Sequence, residues 1–183
     1  MRIRATAFLG AAVLLSGLAF VALPLEGDPP AVGEEAPDFT LVSNEENETT
    51  LSDYRGQWVV LYFYPRDFTR GCTIEAHNFQ RDEALYTERE AVILGVSVDD
   101  VDSHKEFCAK EGLGFKLLAD IGGNVSETYG SVRGEGSARL SARNTFLINP
   151  EGVVAKVYLG VSVQKHSEEV LAAIDQLSEV DEG

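Results

Sequence analysis

A chain of 183 residues with 44% hydrophobic and 25% charged side chains is long enough for one domain with a sizeable core, and too apolar for disorder. Its formal net charge of −15, from 30 acids against 15 bases, disfavours nucleic acid and anionic membrane surfaces as partners. Two cysteines are too few for a disulfide scaffold or for a structural zinc site built from thiolates alone, and a widely spaced pair fits redox chemistry better.

The N-terminus is distinct. Met1-Arg2-Ile3-Arg4 is basic, and Ala5 to Leu25 is uncharged and almost wholly apolar. Glu26-Gly27-Asp28-Pro29-Pro30 ends that run abruptly. Its length is where signal peptides and spanning helices overlap. The cleavage motif of small residues is poor, so an uncleaved anchor is expected over a cleaved signal. Basic residues before the span predict the N-terminus inside and the domain outside. Residues 1–25 are thus expected to be a signal peptide or N-terminal membrane anchor, with a tether through residues 5–25. The protein is then extracytoplasmic, membrane-anchored or secreted. Residues 26–36, rich in Pro, Gly and Glu, read as a linker, and residues 37–183 as the folded domain.

Asp38 to Val42 and Thr49 to Leu51 predict a hairpin around the turn cluster Ser43 to Asn47. Ser52 to Gly56 reads as a turn. Trp58 to Tyr64 is a continuous apolar run, expected as a central strand covered on both faces. It stops at Pro65. A polar loop leads to Cys72 and a helix expected to reach about Arg89. Ala91 to Val98 is a second buried strand. A helix from Asp102 to Glu111 stops at Gly112, and Phe115 to Leu118 is a short strand. Asn124 to Tyr129 reads as a short helix and Ser131 to Ser141 as a polar loop. Asn144 to Ile148 and Val153 to Leu159 are strands joined by the turn Asn149-Pro150-Glu151-Gly152. Lys165 to Val180 is an amphipathic helix. A hairpin, then alternating strands and helices, then an antiparallel pair imply a mixed sheet with helices on both faces. Gly122-Gly123 and Gly130 lack dinucleotide spacing.

Cys72 stands at a strand-loop-helix junction. A thiol at a helix N-terminus meets unpaired N–H groups and the positive end of the macrodipole, which favour a nucleophilic thiolate. Thr69 is a candidate N-cap that can place a hydroxyl beside the sulfur, and Gly71 removes bulk there. Arg143 opens a strand and could reach the same strand end, where it would stabilise negative charge on sulfur and on a departing oxygen. Cys108 reads alone as a packed core residue. Beside an oxidisable Cys72 it is also a candidate to condense with a sulfenic acid, which would require local unwinding because the two lie on different helices. Cys72, His77 and Cys108 could in principle hold copper or zinc, but their spacing is a poor metal pattern. His104 and His166 read as structural or surface residues.

Pro65-x-x-x-Thr69-x-x-Cys72 resembles the active-site motif of the peroxiredoxins. Val59 to Pro65, Gly71-Cys72-Thr73-x-Glu75-Ala76, Gly95-Val96-Ser97, Ser103-His104-x-x-Phe107-x-x-Lys110 and Arg143-x-Thr145-Phe146-Leu147-Ile148-x-Pro150-x-Gly152 resemble the PrxQ or bacterioferritin-comigratory-protein branch. The likeness runs from about Val32 to the last helix.

The resemblance implies an α/β, thioredoxin-like fold: a mixed central sheet with flanking helices and an N-terminal β-hairpin extension. It implies thiol-dependent reduction of hydrogen peroxide and organic hydroperoxides, with no metal or organic cofactor. Cys72 would be the peroxidatic cysteine. Thr69 would hydrogen-bond peroxide and thiolate, Pro65 would shield the site, and Arg143 would activate sulfur and peroxide. Many members of the branch resolve through a cysteine five residues further on, where this chain has His77. Others resolve from the following long helix, in a segment similar to Phe107-Cys108-Ala109-Lys110, which makes Cys108 the expected resolving residue. A thioredoxin-like protein would be the reductant, and a monomer is the expected state. Phe68 and Arg70 depart from the common pattern of a polar residue and a proline before Gly-Cys. Two further readings are a copper-delivery module on a thioredoxin-like fold and a thiol-disulfide exchange protein. The latter class normally uses a Cys-x-x-Cys pair, and here the earlier position is Thr69.

Overall fold

The computed structural model describes residues 27–181. The apolar segment 5–25, and with it the expected anchor or signal, lies outside those residues. Among the described residues no helix is long and apolar enough to cross a membrane.

The organising element is β3 (Trp58–Phe63), whose six residues are all buried. Every second side chain faces the same way in a strand, so its β-branched and aromatic residues fill two cores at once. Trp58, Val60 and Tyr62 enter one core, while Val59, Leu61 and Phe63 enter the other. β3 pairs in parallel with β4 (Ala91–Ser97) and antiparallel with β8 (Asn144–Ile148). β4 continues in parallel to β5 (Lys116–Ala119). The hairpin of β1 (Thr40–Ser43) and β2 (Glu48–Thr50) adds antiparallel to β5, and β9 (Val154–Leu159) closes the other edge against β8. The seven strands run β2-β1-β5-β4-β3-β8-β9. This is the expected mixed sheet, with the hairpin extension at one edge.

The first core lies under α1 (Arg70–Arg81), α2 (Glu83–Thr87), α3 (Val101–Glu111) and α5 (His166–Asp181). The second is covered by α4 (Asn124–Thr128), by Tyr129 just after it, and by Ala36 and Leu51 from the N-terminal elements. Helix α3 is closed at both ends, at Gly112 as expected. The Asp100 carboxylate accepts the Ser103 N–H (2.9 Å), and Gly112 takes the left-handed conformation that a side chain would resist.

Two local features differ from expectation. The helix after Cys72 does not run unbroken to Arg89. It stops at Asp82, whose carboxylate is held by Arg81 and by the Ser167 hydroxyl (2.8 Å), and α2 restarts beyond it. The polar loop 131–141 contains a two-stranded ribbon, β6 (Val132–Arg133) with β7 (Leu140–Ser141), too short to leave a periodic signal. Within segment 26–36, Gly33 and Ala36 donate to Val154 and Gly152 (2.8 and 2.9 Å), and Glu34 accepts from Val154 (2.9 Å).

Gly95 faces Tyr62 across the parallel pair. A Cβ there would lie 2.7 Å from the Tyr62 ring and hydroxyl and 2.6 Å from Leu117. The missing side chain is what admits the tyrosine beside the sheet. Gly95→Ala is expected to cost about 1–3 kcal/mol through overpacking, measured as a lower urea midpoint. An unchanged midpoint would mean that the Tyr62 ring moves freely.

Candidate active site

β3 is extended by one backbone bond, from Tyr64 N–H to Val96 C=O (3.0 Å), before the chain turns at Pro65. Pro65 is half-buried where strand gives way to loop. Thr69 occupies the N-cap position in extended conformation, and its carbonyl accepts the first helical bond from Thr73 (2.9 Å). Its hydroxyl does not cap the helix. It donates back to the Arg66 carbonyl (3.1 Å), so the loop closes on itself and the first helical N–H groups stay unclaimed by that side chain. Cys72 follows in the first turn of α1, buried at 1% exposure.

Arg143 comes from the opposite direction. It immediately precedes β8, whose first residue, Asn144, pairs with Phe63 at the end of β3. The Asn144 amide donates to Ser131 Oγ (2.9 Å), its oxygen accepts from Gly160 N–H (3.0 Å), and the Arg143 carbonyl accepts from Val161 N–H (2.9 Å). These bonds fix the backbone from which the guanidinium reaches inward. Nη2 donates to Cys72 Sγ (3.3 Å), and Nη1 donates to Glu75 Oε2. A Cβ on Gly71 would sit 3.2 Å from Nη2. The space left by the glycine is therefore filled by the arginine.

Glu75 is buried one turn beyond Cys72. Burial pushes its carboxyl up to about 7, against the pull of Arg143. Burial works against the charge of Arg143, but Glu75 and Cys72 outweigh it and raise its pKa. The arginine is thus held as a cation between a carboxylate and a sulfur, away from bulk water. A cation so placed stabilises negative charge on the sulfur and on an oxygen leaving beside it.

Cys108, on α3, is 7% exposed and belongs to the same buried cluster as Cys72. Both thiols are free. Burial, reinforced by Asp67 and Glu45, pushes the Cys108 thiol up to about 12. His77 Nε2 lies 3.0 Å from Glu111 Oε2. Among the described residues no three His, Cys, Asp or Glu side chains are grouped to hold a metal ion. His104 and His166 are both buried. His166 bonds Thr145 Oγ1 (2.8 Å) through Nε2, and burial, with Arg143, lowers it to about 4.

Sequence reasoning brought Cys72 and Arg143 together correctly in space. It gave no role to Glu75, although a carboxylate three residues after the thiol on one helix face was a readable signal. It also missed Asp67, whose buried carboxylate accepts from Tyr64 OH (2.7 Å) and Ser103 Oγ (2.7 Å) and pairs with His104 Nδ1 (2.9 Å). No local pattern announces contacts across that much chain.

A buried helix-start thiol, held by an arginine at the strand ends of a thioredoxin-like sheet, is the arrangement of the peroxiredoxin class of thiol peroxidases. The AhpC/TSA family matches residues 32–157. Peroxiredoxin Bcp of Bacillus subtilis is 38% identical over 81% of this chain and 97% of its own. A putative peroxiredoxin bcp of Coxiella burnetii is 40% identical over 78% and 97%. Among solved structures, a cysteine-to-serine mutant of Xylella fastidiosa PrxQ superimposes with a TM-score of 0.77 at 32% identity, covering 81% of this chain and 98% of that one. The Xanthomonas campestris bacterioferritin comigratory protein, described for its alkyl peroxide reduction activity, gives 0.71 at 34%, covering 75% and 90%. The chain belongs to the AhpC/TSA family, in its Bcp/PrxQ branch, and is a thiol-dependent peroxidase.

The same comparisons overturn the expected extracytoplasmic location, whether membrane-anchored or secreted. The Bcp relatives are bacterial peroxiredoxins matched over 97% of their length, and the family region here opens at residue 32. The expectation rested on the apolar run 5–25 and the basic residues before it, and such a pattern over that length is an ambiguous address. The copper-delivery reading is likewise displaced by peroxidase membership.

Because the folded pKa of Glu75 lies above its ordinary 4.5, its stabilising contribution is complete below that value and is lost as pH rises through about 7. Unfolding free energy is expected to fall across this window, and Glu75→Gln to lack that part of the slope. Equal slopes in denaturant titrations of both proteins would remove Glu75 as the source.

Proposed function

We propose that the chain reduces hydrogen peroxide and organic hydroperoxides through an atypical two-cysteine cycle run by residues 37–183, behind a linker at 26–36. The observation that carries the reading is the Arg143 guanidinium bridging Cys72 Sγ and Glu75. The Cys72 thiolate attacks the terminal oxygen of ROOH. The S–O bond forms as the O–O bond breaks, leaving Cys72 sulfenic acid and an alkoxide that takes a proton to leave as ROH. Arg143 opposes the charge on sulfur before attack and on the departing oxygen after it. Thr69, at the helix cap, orients the peroxide once its hydroxyl leaves the Arg66 carbonyl. Pro65 keeps water from the strand end. The alkyl peroxide activity described for the Xanthomonas relative supports the inclusion of organic substrates.

Cys108 then attacks the sulfenic sulfur, forming the disulfide and releasing water, and a thioredoxin-like protein returns both thiols. A packed Cys108 with its thiol pushed up to about 12 is a poor nucleophile. Unwinding of α3 around it relieves that burial and lets the sulfurs meet. Both cysteines belong to one chain, so a monomer suffices, and no metal or organic cofactor is required.

Cys72→Ser is expected to abolish peroxide consumption in stopped-flow assays. Arg143→Gln should slow Cys72 oxidation by about a hundredfold, the scale of removing a positioned charge-stabilising donor. Cys108→Ser should still reduce one equivalent of peroxide but fail to cycle with thioredoxin. Full cycling by Cys108→Ser would make the enzyme one-cysteine in mechanism.

A further inference from the structure

Tyr62 is 1% exposed, and among the described residues its hydroxyl has no hydrogen-bond partner. A buried hydroxyl left unpaired is destabilising, and phenylalanine would fill the same space without that cost. The sheet nevertheless makes room for it, since Gly95 has no side chain where a Cβ would lie 2.7 Å from the Tyr62 hydroxyl. A donor kept at such a cost points to a partner that carries charge only part of the time.

The surroundings indicate which partner. Tyr62 shares one buried cluster with Cys72 and Cys108. Its ring centroid is 4.8 Å from that of Phe79, two turns beyond Cys72 on α1, and 6.1 Å from that of Phe115, just before β5. Burial drives its pKa well above 10, and Glu75, Cys108, Cys72 and Asp67 push the same way through space. The phenol therefore keeps its proton, and both sulfurs are near enough to act on it. Cys72 already has a donor in Arg143 (3.3 Å). For Cys108, burial, Asp67 and Glu45 all oppose the thiolate, and none of the groups acting on it is a cation.

We propose that the Tyr62 hydroxyl is the hydrogen-bond donor to the Cys108 sulfur as that sulfur becomes a nucleophile. The inference rests on the two-cysteine cycle above. In that step an electron pair of the Cys108 sulfur forms the S–S bond to Cys72 as the S–O bond breaks, and the oxygen takes the Cys108 proton and leaves as water. Between loss of the proton and formation of the bond, the Cys108 sulfur carries negative charge. Tyr62 donates to it and retains its own proton. Because β3 is paired on both edges, the hydroxyl is a fixed point on the sheet.

The test compares the reduced full-length protein with Tyr62→Phe, which removes the hydroxyl and keeps the ring. Each is mixed rapidly with one equivalent of hydrogen peroxide, quenched in acid and analysed by mass for loss of the Cys72 thiol and appearance of the Cys72–Cys108 disulfide. In Tyr62→Phe, disulfide formation is expected to slow about tenfold relative to Cys72 oxidation, the scale of one hydrogen bond to a charged group. The same disulfide rate should then be reached about one pH unit higher. The urea midpoint of reduced Tyr62→Phe should equal or exceed that of the wild type, since the hydroxyl has no resting partner to lose. An unchanged ratio of the two rates overturns the donor role and leaves the cycle standing. A slower disulfide step with a lower urea midpoint also overturns it, by assigning the loss to packing. Absence of any Cys72–Cys108 disulfide in the wild type overturns both the donor role and the cycle.

Discussion

The contact on which the site depends is the Arg143 guanidinium between Cys72 Sγ and Glu75. A cation withdrawn from water carries a desolvation cost of several kcal/mol unless opposite charge and hydrogen bonds surround it. Glu75 supplies that charge, and burial in turn holds the carboxyl near 7, so the two groups justify each other's position. The sulfur shares the arginine's other edge. Everything nearby serves this arrangement: Gly71 leaves room for it, the Asn144 side chain fixes the strand start, and the pairing of β3 with β8 brings two remote segments to one sheet end.

A second constraint pulls the other way. The packed state that assembles the thiolate site also buries Cys108, where burial drives its thiol up to about 12. The proposed cycle thus needs two arrangements of one region, one to meet peroxide and one to join two sulfurs. The sheet beneath stays a rigid platform, because β3 is buried on both faces and paired on both edges.

The central strand, the two flanking buried strands, the end of α3 and the late hairpin were legible because each writes a local pattern: an unbroken apolar run, Gly112 after the helix, Asn-Pro-Glu-Gly between strands. The break at Asp82 was not legible, since it depends on Ser167 from the last helix. The N-terminal location was misjudged for a related reason, hydropathy being read where only the company of relatives was decisive. At the site, the thiol at a helix start and the arginine at a strand start were visible as types. The direction of the Thr69 hydroxyl, back to Arg66 rather than to the helix, was not.

By itself the sequence determined the candidate thiol, its place at a strand-helix junction, and the absence of a second cysteine where His77 stands. Periodicity and motif spacing are local, and they survive without knowing what packs on what. Only the tertiary structure decided that Arg143 shares its charge between sulfur and Glu75, that Asp67 is satisfied from α3, and that Phe68 rests on Phe107 and Lys110. Those contacts join residues far apart along the chain, and their energies come from burial and approach distance, which exist only once the sheet has brought its ends together.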